Sequence, residues 1–571
     1  MKGYYDDSAD GEGEAGVLVS SAGLDRRAFL RRAPLVAGAL AASAAFTRKL
    51  RAQFEGAAII AKTTCGSVRG EKKDGILVFK GIPYAEPPTG GNRFKPAPKL
   101  KPWAGVRDAL VYAPQCPQIR GRGRPKDWKP PVSAEDCLYL NVWTQGVGNG
   151  RKRPVMFYSH YGGFTNGNGG AEGSPENQYC DGAALARDYD VVVVTHNHRL
   201  GIMGYLYLGD LLGDEYAASG ITGMLDIVAA LEWVRDNIEH FGGDSGTVMI
   251  WGESGGGAKT SVLTAMPSAQ GLYHRASIES GPVLRMKSRD AANEATRDVL
   301  TTLNLTDKQA GELLKVPPDT LIEVMQRVSP PVPPVSKVTR ELSTLVRFSP
   351  MVDGHYLPVH PYDPVAPAIS AKVPLIVGTD KDETLFLFRN TPEGGLSMNE
   401  EELRRRLEPM FHEKSSRVLE VYRRSRPGAS PAELFVAITT AEWMVSDAIT
   451  LAERKAALNA DPVYMYEFAF DSPSPAPAGV PYRSGSPHGS EVPFKFDHVP
   501  GDPKTDKGAR AAKHMSRAWA TFARNGNPSH DGIPVWPPYT LGKRSTMIID
   551  AECRVVDDPH REERLLWKEL P

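Results

Sequence analysis

The sequence has no excess of charge of either sign, since Lys and Arg together number 68 and Asp and Glu together also number 68. A protein that binds nucleic acid or an anionic membrane surface usually carries a basic excess. The balance therefore argues against nucleic acid or a membrane surface as the main partner.

The chain is also poor in cysteine, with five in 571 residues. No CxxC motif or Cys/His pair has the spacing of a zinc site, so we expect no structural metal. Nothing in the sequence indicates a cofactor. Fixed-period repeats and long low-complexity tracts are absent too. Hydrophobic residues make up 41% and charged residues 24%, which is typical of a globular protein with a large core.

The N-terminal region differs from the rest of the chain. The pair Arg26-Arg27 precedes Phe29-Leu30 and a short apolar stretch over residues 34–46, a pattern that resembles a twin-arginine export signal. The stretch is shorter than the roughly 20 residues that a membrane-spanning helix needs. An amphipathic N-terminal helix with a basic end is the alternative.

We therefore predict that residues 1–53 are a signal peptide and tail, and that residues 54–571 form a single large domain. Cleavage after Ala44 or after Ala52 fits the sequence equally well. The precursor would use the twin-arginine export machinery. The mature protein would be periplasmic or secreted, with no stable membrane anchor.

The mature chain alternates short β-branched runs with helical patterns. Continuous apolar runs predict strands that are buried on both faces, at residues 155–158, 191–194, 247–251, 373–377 and 463–468. Residues 225–241 have helical spacing, and Gly242-Gly243 end the helix. This order predicts an α/β fold, with a mostly parallel central sheet and helices on both faces. Residues 290–345 read as a helical insertion over the sheet.

A nucleophile motif follows the third of these strands. Residues 252–256 read Gly-Glu-Ser-Gly-Gly, which matches G-x-S-x-G between a strand and a helix and predicts Ser254 as the nucleophile. A glycine-rich turn with a structural serine is the alternative. Residues 243–246 (Gly-Asp-Ser-Gly) resemble a different protease motif, but they follow a helix, and we interpret them as a turn.

The loop after strand 155–158 contains Gly162 and Gly163. In a strand–turn–helix motif of this kind, called a nucleophile elbow, the equivalent loop supplies backbone N–H groups to an oxyanion, together with the residue after the nucleophile. We therefore predict an oxyanion hole formed by Gly162, Gly163 and Gly255, rather than a plain glycine turn.

At this point the sequence resembles the type-B carboxylesterase family, which includes cholinesterases and bacterial p-nitrobenzyl esterases. The matching segments run through most of the mature chain, at residues 79–88, 93–94, 135–142, 197–201, 237–244 and 252–256. The resemblance implies an α/β-hydrolase fold with helical insertions over the active site. It also implies a serine esterase whose triad follows the order Ser, acid, His.

The resemblance places the remaining triad residues. The acid corresponds to Glu383, with Asp380 and Asp382 as competitors that would ordinarily be solvated. The histidine corresponds to His488. His488 would act as general base and Glu383 would fix its tautomer.

The resemblance also implies three structural pairs: a Cys116–Cys137 disulfide, Arg93 with Glu135, and Arg199 with Asp226. His196 and His198 are too few to ligate a metal, and we interpret them as packed histidines.

The sequence departs from the family pattern at two places in the expected pocket. Tyr161 stands where the family usually has glycine, and it could narrow the pocket. Trp128 lies in a loop rich in Arg and Lys between Cys116 and Cys137. That loop would repel a cationic choline and favour neutral or anionic esters, unless it is simply a solvated basic loop.

The predicted function is hydrolysis of a small-molecule carboxylic ester through an acyl-enzyme on Ser254. The alternatives on the same site are a lactonase, an amidase or a specialised ester hydrolase, because pocket shape decides among them. A non-catalytic, cholinesterase-like binding protein is a further alternative, although such proteins typically lose the serine or the histidine.

Overall fold

The computed structural model describes residues 59–119, 129–329, 347–388, 398–471 and 485–570. The predicted signal region and Trp128 lie outside these ranges.

One mixed sheet runs through the described domain. Its strands are β1 (Ile59–Lys62), β2 (Ser67–Lys73), β3 (Ile76–Pro83), β4 (Val106–Asp108), β5 (Tyr139–Thr144), β6 (Arg153–Tyr158), β7 (Val192–His196), β8 (Gly243–Glu253), β9 (Arg275–Glu279), β10 (Leu375–Asp380), β11 (Val463–Phe468), β12 (Ser545–Ile549) and β13 (Arg554–Asp557). The strand order is β1-β2-β3-β5-β7-β6-β8-β9-β10-β11-β12-β13, and β4 pairs with β2.

The centre of the sheet is parallel, as the sequence predicted. Every neighbouring pair from β7 to β12 is parallel. The pairs β1-β2, β2-β3, β3-β5, β5-β7 and β12-β13 at the two ends are antiparallel. All five predicted strands are present with shifts of a few residues at their ends. The segment 243–246, which we interpreted as a turn, is instead the start of β8, so that interpretation is wrong.

Helices cover both faces of this sheet. They are α1 (Ala183–Tyr189), α2 (Gly201–Tyr205), α3 (Gly209–Leu212), α4 (Thr222–Asn237), α5 (Gly255–Leu263), α6 (Arg289–Thr302), α7 (Pro318–Val328), α8 (Leu385–Phe388), α9 (Glu400–Phe411), α10 (Ser415–Ser425), α11 (Pro431–Thr440), α12 (Ser446–Ala456), α13 (Val492–Lys495), α14 (Lys507–Asn525) and α15 (Arg561–Glu569).

Strand β6 shows how the two faces are filled. Val155 and Phe157 pack into a core that also contains side chains of α4, α5 and α7. Met156 and Tyr158 point to the opposite core, which contains side chains of α1, α13 and α14. Because successive side chains in a strand alternate between faces, an apolar residue at every position is what two buried faces require.

The helical insertions lie in two places. The predicted one contains α6 and α7. The second, α9 to α12 between β10 and β11, was not identified from the sequence. Its helices α9 to α11 pack with α15 in a separate apolar cluster, whereas buried side chains of α12 belong to the same core as Val155. Two continuous helical stretches, Asp214–Phe241 and Pro431–Ala456, are long and apolar enough to cross a membrane, but 78% and 72% of their apolar windows are buried within the protein.

A buried ion pair joins α4 to the loop after β7. Nε and Nη2 of Arg199 donate to the two oxygens of the Asp226 carboxylate, at 2.8 and 2.6 Å, and the two side chains are 2% and 0% exposed. The other implied pair, Arg93 with Glu135, is also present at 2.7 Å. Both implied ion pairs are therefore confirmed.

We expect Asp226→Ala to lower the free energy of unfolding by about 3–5 kcal/mol, because it leaves the Arg199 charge buried without its partner. Urea denaturation measures this. The matched control is Asp236→Ala on the same helix, whose exposed pair with Arg235 predicts a change within about 0.5 kcal/mol. Equal losses in the two variants would contradict the prediction.

Candidate active site

Ser254 lies on a sharp turn between β8 and α5. Its backbone has φ 57° and ψ −119°, a conformation that is strained for any residue with a Cβ atom. Two backbone hydrogen bonds hold it there, from Ser254 N–H to the Glu279 carbonyl and from Ala258 N–H to the Ser254 carbonyl, each 2.9 Å long. The chain also crosses closely behind the turn, where a Cβ on Gly256 would overlap the Ser159 carbonyl oxygen. This is the geometry of a nucleophile elbow.

The three side chains named from the sequence as a triad lie together. The Ser254 hydroxyl is 2.7 Å from Nε2 of His488, and Nδ1 of the same ring is 2.6 Å from Oε2 of Glu383. Glu383 is fully buried, and its second oxygen accepts the Asp380 N–H at 2.9 Å. A proton can therefore pass from the hydroxyl to the imidazole while the carboxylate stabilises the imidazolium.

A further carboxylate faces the same imidazole. Oε1 of Glu253, the residue before the nucleophile, is 3.3 Å from Nε2 of His488. Burial alone would lower the pKa of His488, but the charges of Glu253 and Glu383 outweigh it and raise this pKa to about 9. Burial also raises the pKa of Glu253. Sequence analysis missed Glu253 as an electrostatic partner, although it lies inside the nucleophile motif.

The predicted oxyanion glycines face each other across the elbow. Gly162 and Gly163 have φ values of 90° and 60°, and a Cβ on Gly255 would overlap the backbone of Gly163. In the described residues, none of these three N–H groups donates to a protein acceptor. The arrangement leaves three backbone donors beside Ser254 for a developing negative charge.

Aromatic side chains surround the imidazole. Trp443 and Phe386 lie 4.7 and 5.7 Å from the His488 ring, centroid to centroid. Trp443 sits on a single π-helical turn, Ala441–Val445, between α11 and α12. Tyr161 is half-buried next to the oxyanion loop. Sequence reasoning missed Phe386 and Trp443, because no motif links residues so far apart in the chain.

The two acidic competitors of Glu383 have a different position from the one expected. Asp380 and Asp382 are buried, not solvated. Oδ2 of Asp382 accepts the Ser486 N–H at 3.0 Å, and Oδ2 of Asp380 accepts the Gly489 N–H at 2.9 Å. Both therefore hold the loop that carries His488.

A buried basic cluster lies beneath the oxyanion loop. It consists of His160, His196, His198 and Lys259, all fully buried. The His160 ring is 4.8 Å from that of His198, which is 5.3 Å from that of His196, so the packing interpretation of the last two is confirmed. The Lys259 ammonium donates to the His160 carbonyl at 2.8 Å, and burial lowers its pKa to about 7. Among the described residues no group has the geometry of a metal site.

The implied disulfide is not formed in this structure. Cys116 and Cys137 are both free and buried, and the disulfide between them stays a prediction. The neighbouring Cys116 side chain, together with burial, raises the pKa of the Cys137 thiol. In this form they pack as small apolar residues.

Comparisons with known proteins agree with this geometry. Residues 57–567 match the family model described as the carboxylesterase family. The para-nitrobenzyl esterase of Bacillus subtilis is 33% identical over 512 residues, which are 88% of this chain and 97% of that protein.

Two solved structures are similar over nearly their whole length. A crystal structure of a Geobacillus stearothermophilus carboxylesterase has a TM-score of 0.74 and 32% identity, covering 89% of this chain and 99% of that one. An esterase from Clostridium hathewayi, described as able to hydrolyse aliphatic aromatic polyesters, has a TM-score of 0.73 and 32% identity, with 90% and 98% covered.

The pH dependence of the site follows from His488. A general base must be unprotonated, so kcat/KM for p-nitrophenyl butyrate should rise by about tenfold per pH unit below the His488 pKa and level off near pH 9. Glu253→Gln removes a carboxylate that raises this pKa, and should move the acid limb to lower pH. An acid limb near pH 6.5 in both proteins would contradict the assignment.

Proposed function

The chain belongs to the carboxylesterase family and is a carboxylic-ester hydrolase, and we propose that it cleaves its substrate through an acyl-enzyme on Ser254. The observation that carries this proposal is the continuous contact from the Ser254 hydroxyl through His488 to Glu383, at 2.7 and 2.6 Å. Each group is within the distance that proton transfer requires.

The reaction begins when Ser254 Oγ attacks the ester carbonyl carbon and Nε2 of His488 takes the hydroxyl proton. The tetrahedral oxyanion lies against the N–H groups of Gly162, Gly163 and Gly255. The intermediate collapses, the C–O bond to the alcohol breaks, and His488 gives its proton to the leaving alcohol. Water then attacks the acyl-enzyme with His488 again as base, which releases the acid and restores Ser254.

We propose that esters with an aromatic group are preferred substrates. Phe386 is 40% exposed beside the imidazole, and its ring centroid lies 5.8 Å from that of Trp443, so the two form an aromatic surface next to the reacting atoms. Aromatic rings bind such surfaces by offset or edge-to-face contacts. Two relatives support the same choice, since one is a para-nitrobenzyl esterase and the other is an esterase that can hydrolyse aliphatic aromatic polyesters.

The alternatives differ in what they would need. A lactone or an amide would use the same triad, and an amide would place a greater demand on proton donation by His488. A non-catalytic binding protein would not need a complete Ser–His–Glu contact, which is what this site contains.

Ser254→Ala should reduce kcat for p-nitrophenyl acetate and butyrate by about 10³–10⁶-fold, because it removes the atom that forms the acyl-enzyme. The matched control is Ser245→Ala, which changes the serine of the Gly-Asp-Ser-Gly segment at the start of β8 and should leave kcat unchanged. Equal activity of the Ser254 variant and the wild type would exclude the proposed nucleophile.

We also propose that residues 1–53 direct export by the twin-arginine route, as the pair Arg26-Arg27 before a short apolar stretch suggests. In an oxidising compartment Cys116 and Cys137 would then form a disulfide, since both side chains lie in the same buried cluster. A bond that closes a loop of this length stabilises a protein by roughly 3 kcal/mol in the chain-entropy model.

Export predicts the effect of a double substitution, Arg26→Lys with Arg27→Lys. The mature protein should disappear from the exported fraction, and precursor should accumulate inside the cell. In exported wild type that has been denatured, so that the buried side chains are accessible, Cys116 and Cys137 should react with a thiol reagent only after reduction. Normal export of the double variant, or thiols that react without reduction, would each contradict the corresponding proposal.

A further inference from the structure

Asp380 is the last residue of β10 and lies three residues before Glu383. We propose that Asp380 is a positioning residue of the esterase site, which fixes the loop of His488 relative to the triad acid. This inference rests on the proposed function of the triad. It adds a residue that holds two triad members together without touching the reacting atoms.

Asp380 contacts the triad acid through its backbone. Its N–H donates to Oε1 of Glu383 at 2.9 Å, which leaves Oε2 of Glu383 for the imidazole. Because β10 is hydrogen-bonded to β9 and β11 on its two sides, the position of this N–H is set by the centre of the sheet. The orientation of the carboxylate is therefore tied to the sheet.

Asp380 contacts the histidine loop through its side chain. Oδ2 accepts the N–H of Gly489, the residue directly after His488, at 2.9 Å, and the Ser490 hydroxyl lies 3.5 Å from Oδ1. The backbone N–H of His488 donates to the Glu383 carbonyl at 3.1 Å. The loop is thus held on both sides of the imidazole, and Asp380 supplies the contact on its C-terminal side.

The surroundings of Asp380 indicate that it works as a hydrogen-bonding group and not as a charge. The ionisable side chains that act most strongly on its charge are Glu253, Glu383, Glu491 and Lys495. Burial and then the three carboxylates raise the pKa of Asp380 well above its ordinary value. A neutral carboxyl group keeps an oxygen that can accept from Gly489, and its O–H can donate to the Ser490 hydroxyl.

If Asp380 acts as a neutral hydrogen-bonding group, asparagine should hold the histidine loop in place and alanine should not. The side-chain oxygen of asparagine can accept from Gly489, and its NH₂ can donate to Ser490. Asparagine also removes the penalty of keeping a carboxyl neutral in the folded state, since the unfolded chain would ionise it at neutral pH. Alanine has the same backbone N–H but makes neither loop contact.

The experiment compares wild type, Asp380→Ala and Asp380→Asn with p-nitrophenyl butyrate, with kcat expressed per active site titrated by the acylation burst. Asp380→Ala should lower kcat at least tenfold with KM within about twofold, because substrate still binds but the imidazole is misplaced. Asp380→Asn should restore kcat to within about threefold of wild type. Its melting temperature at pH 7 should equal or exceed that of wild type.

The control is Asp382→Ala, which removes the side-chain contact to the Ser486 N–H but keeps both Asp380 contacts. It should lower kcat less than Asp380→Ala does. Wild-type kcat in Asp380→Ala would overturn the inference, and so would a loss in Asp380→Asn as large as that in Asp380→Ala. If Asp380→Ala does not fold, an Asp380→Asn protein that is unstable or inactive overturns it equally. An inactive wild type would instead contradict the proposed function.

Discussion

The close approach of two backbone segments behind Ser254 is the constraint on which the site depends. The loop after β6 crosses the start of α5 so tightly that a Cβ on Gly256 would overlap the Ser159 carbonyl oxygen, and one on Gly255 would overlap Gly163. Only glycine permits these contacts. They bring the nucleophile and the oxyanion donors together through main-chain atoms alone, so the geometry does not depend on side-chain rotamers. Glu383, which follows β10, and the loop that contains His488 then lie beside Ser254, at the carboxyl ends of the parallel strands.

Much of this could be predicted from the sequence, because the relevant signals are local. The apolar runs predicted the central strands. The glycines around Ser254 and after β6 indicated places where two backbone segments pass too close together for a side chain. Glu383 and His488 needed the family resemblance, since neither carries a local pattern that separates it from Asp380 or from the other histidines. The structure brings all three side chains into one hydrogen-bonded series.

What the sequence did not reveal depends on contacts between distant segments. Phe386 and Trp443 meet at His488 only because the insertion between β10 and β11 packs back on the site. Asp380 and Asp382 look like ordinary loop acids in the sequence, and only their burial shows that they hold the histidine loop. The start of β8 was misread because Gly, Asp and Ser favour turns. Of this segment only Gly243 pairs with β6, before a register irregularity that ends at Val248.

The buried histidines beneath the oxyanion loop make the stability of the folded protein fall as the pH is lowered. Burial lowers the pKa of His160, His196 and His198, that of His196 to about 3, whereas in the unfolded chain each binds a proton below about pH 6.5. Unfolding therefore takes up protons as the medium is acidified, and each histidine removes up to about 1.4 kcal/mol of stability per pH unit. Because His160 belongs to the oxyanion loop itself, acidification acts against the part of the fold that hydrolysis needs. These three rings stay uncharged in neutral and alkaline surroundings, whereas His488, with its pKa near 9, accepts a proton best toward the alkaline end of that range.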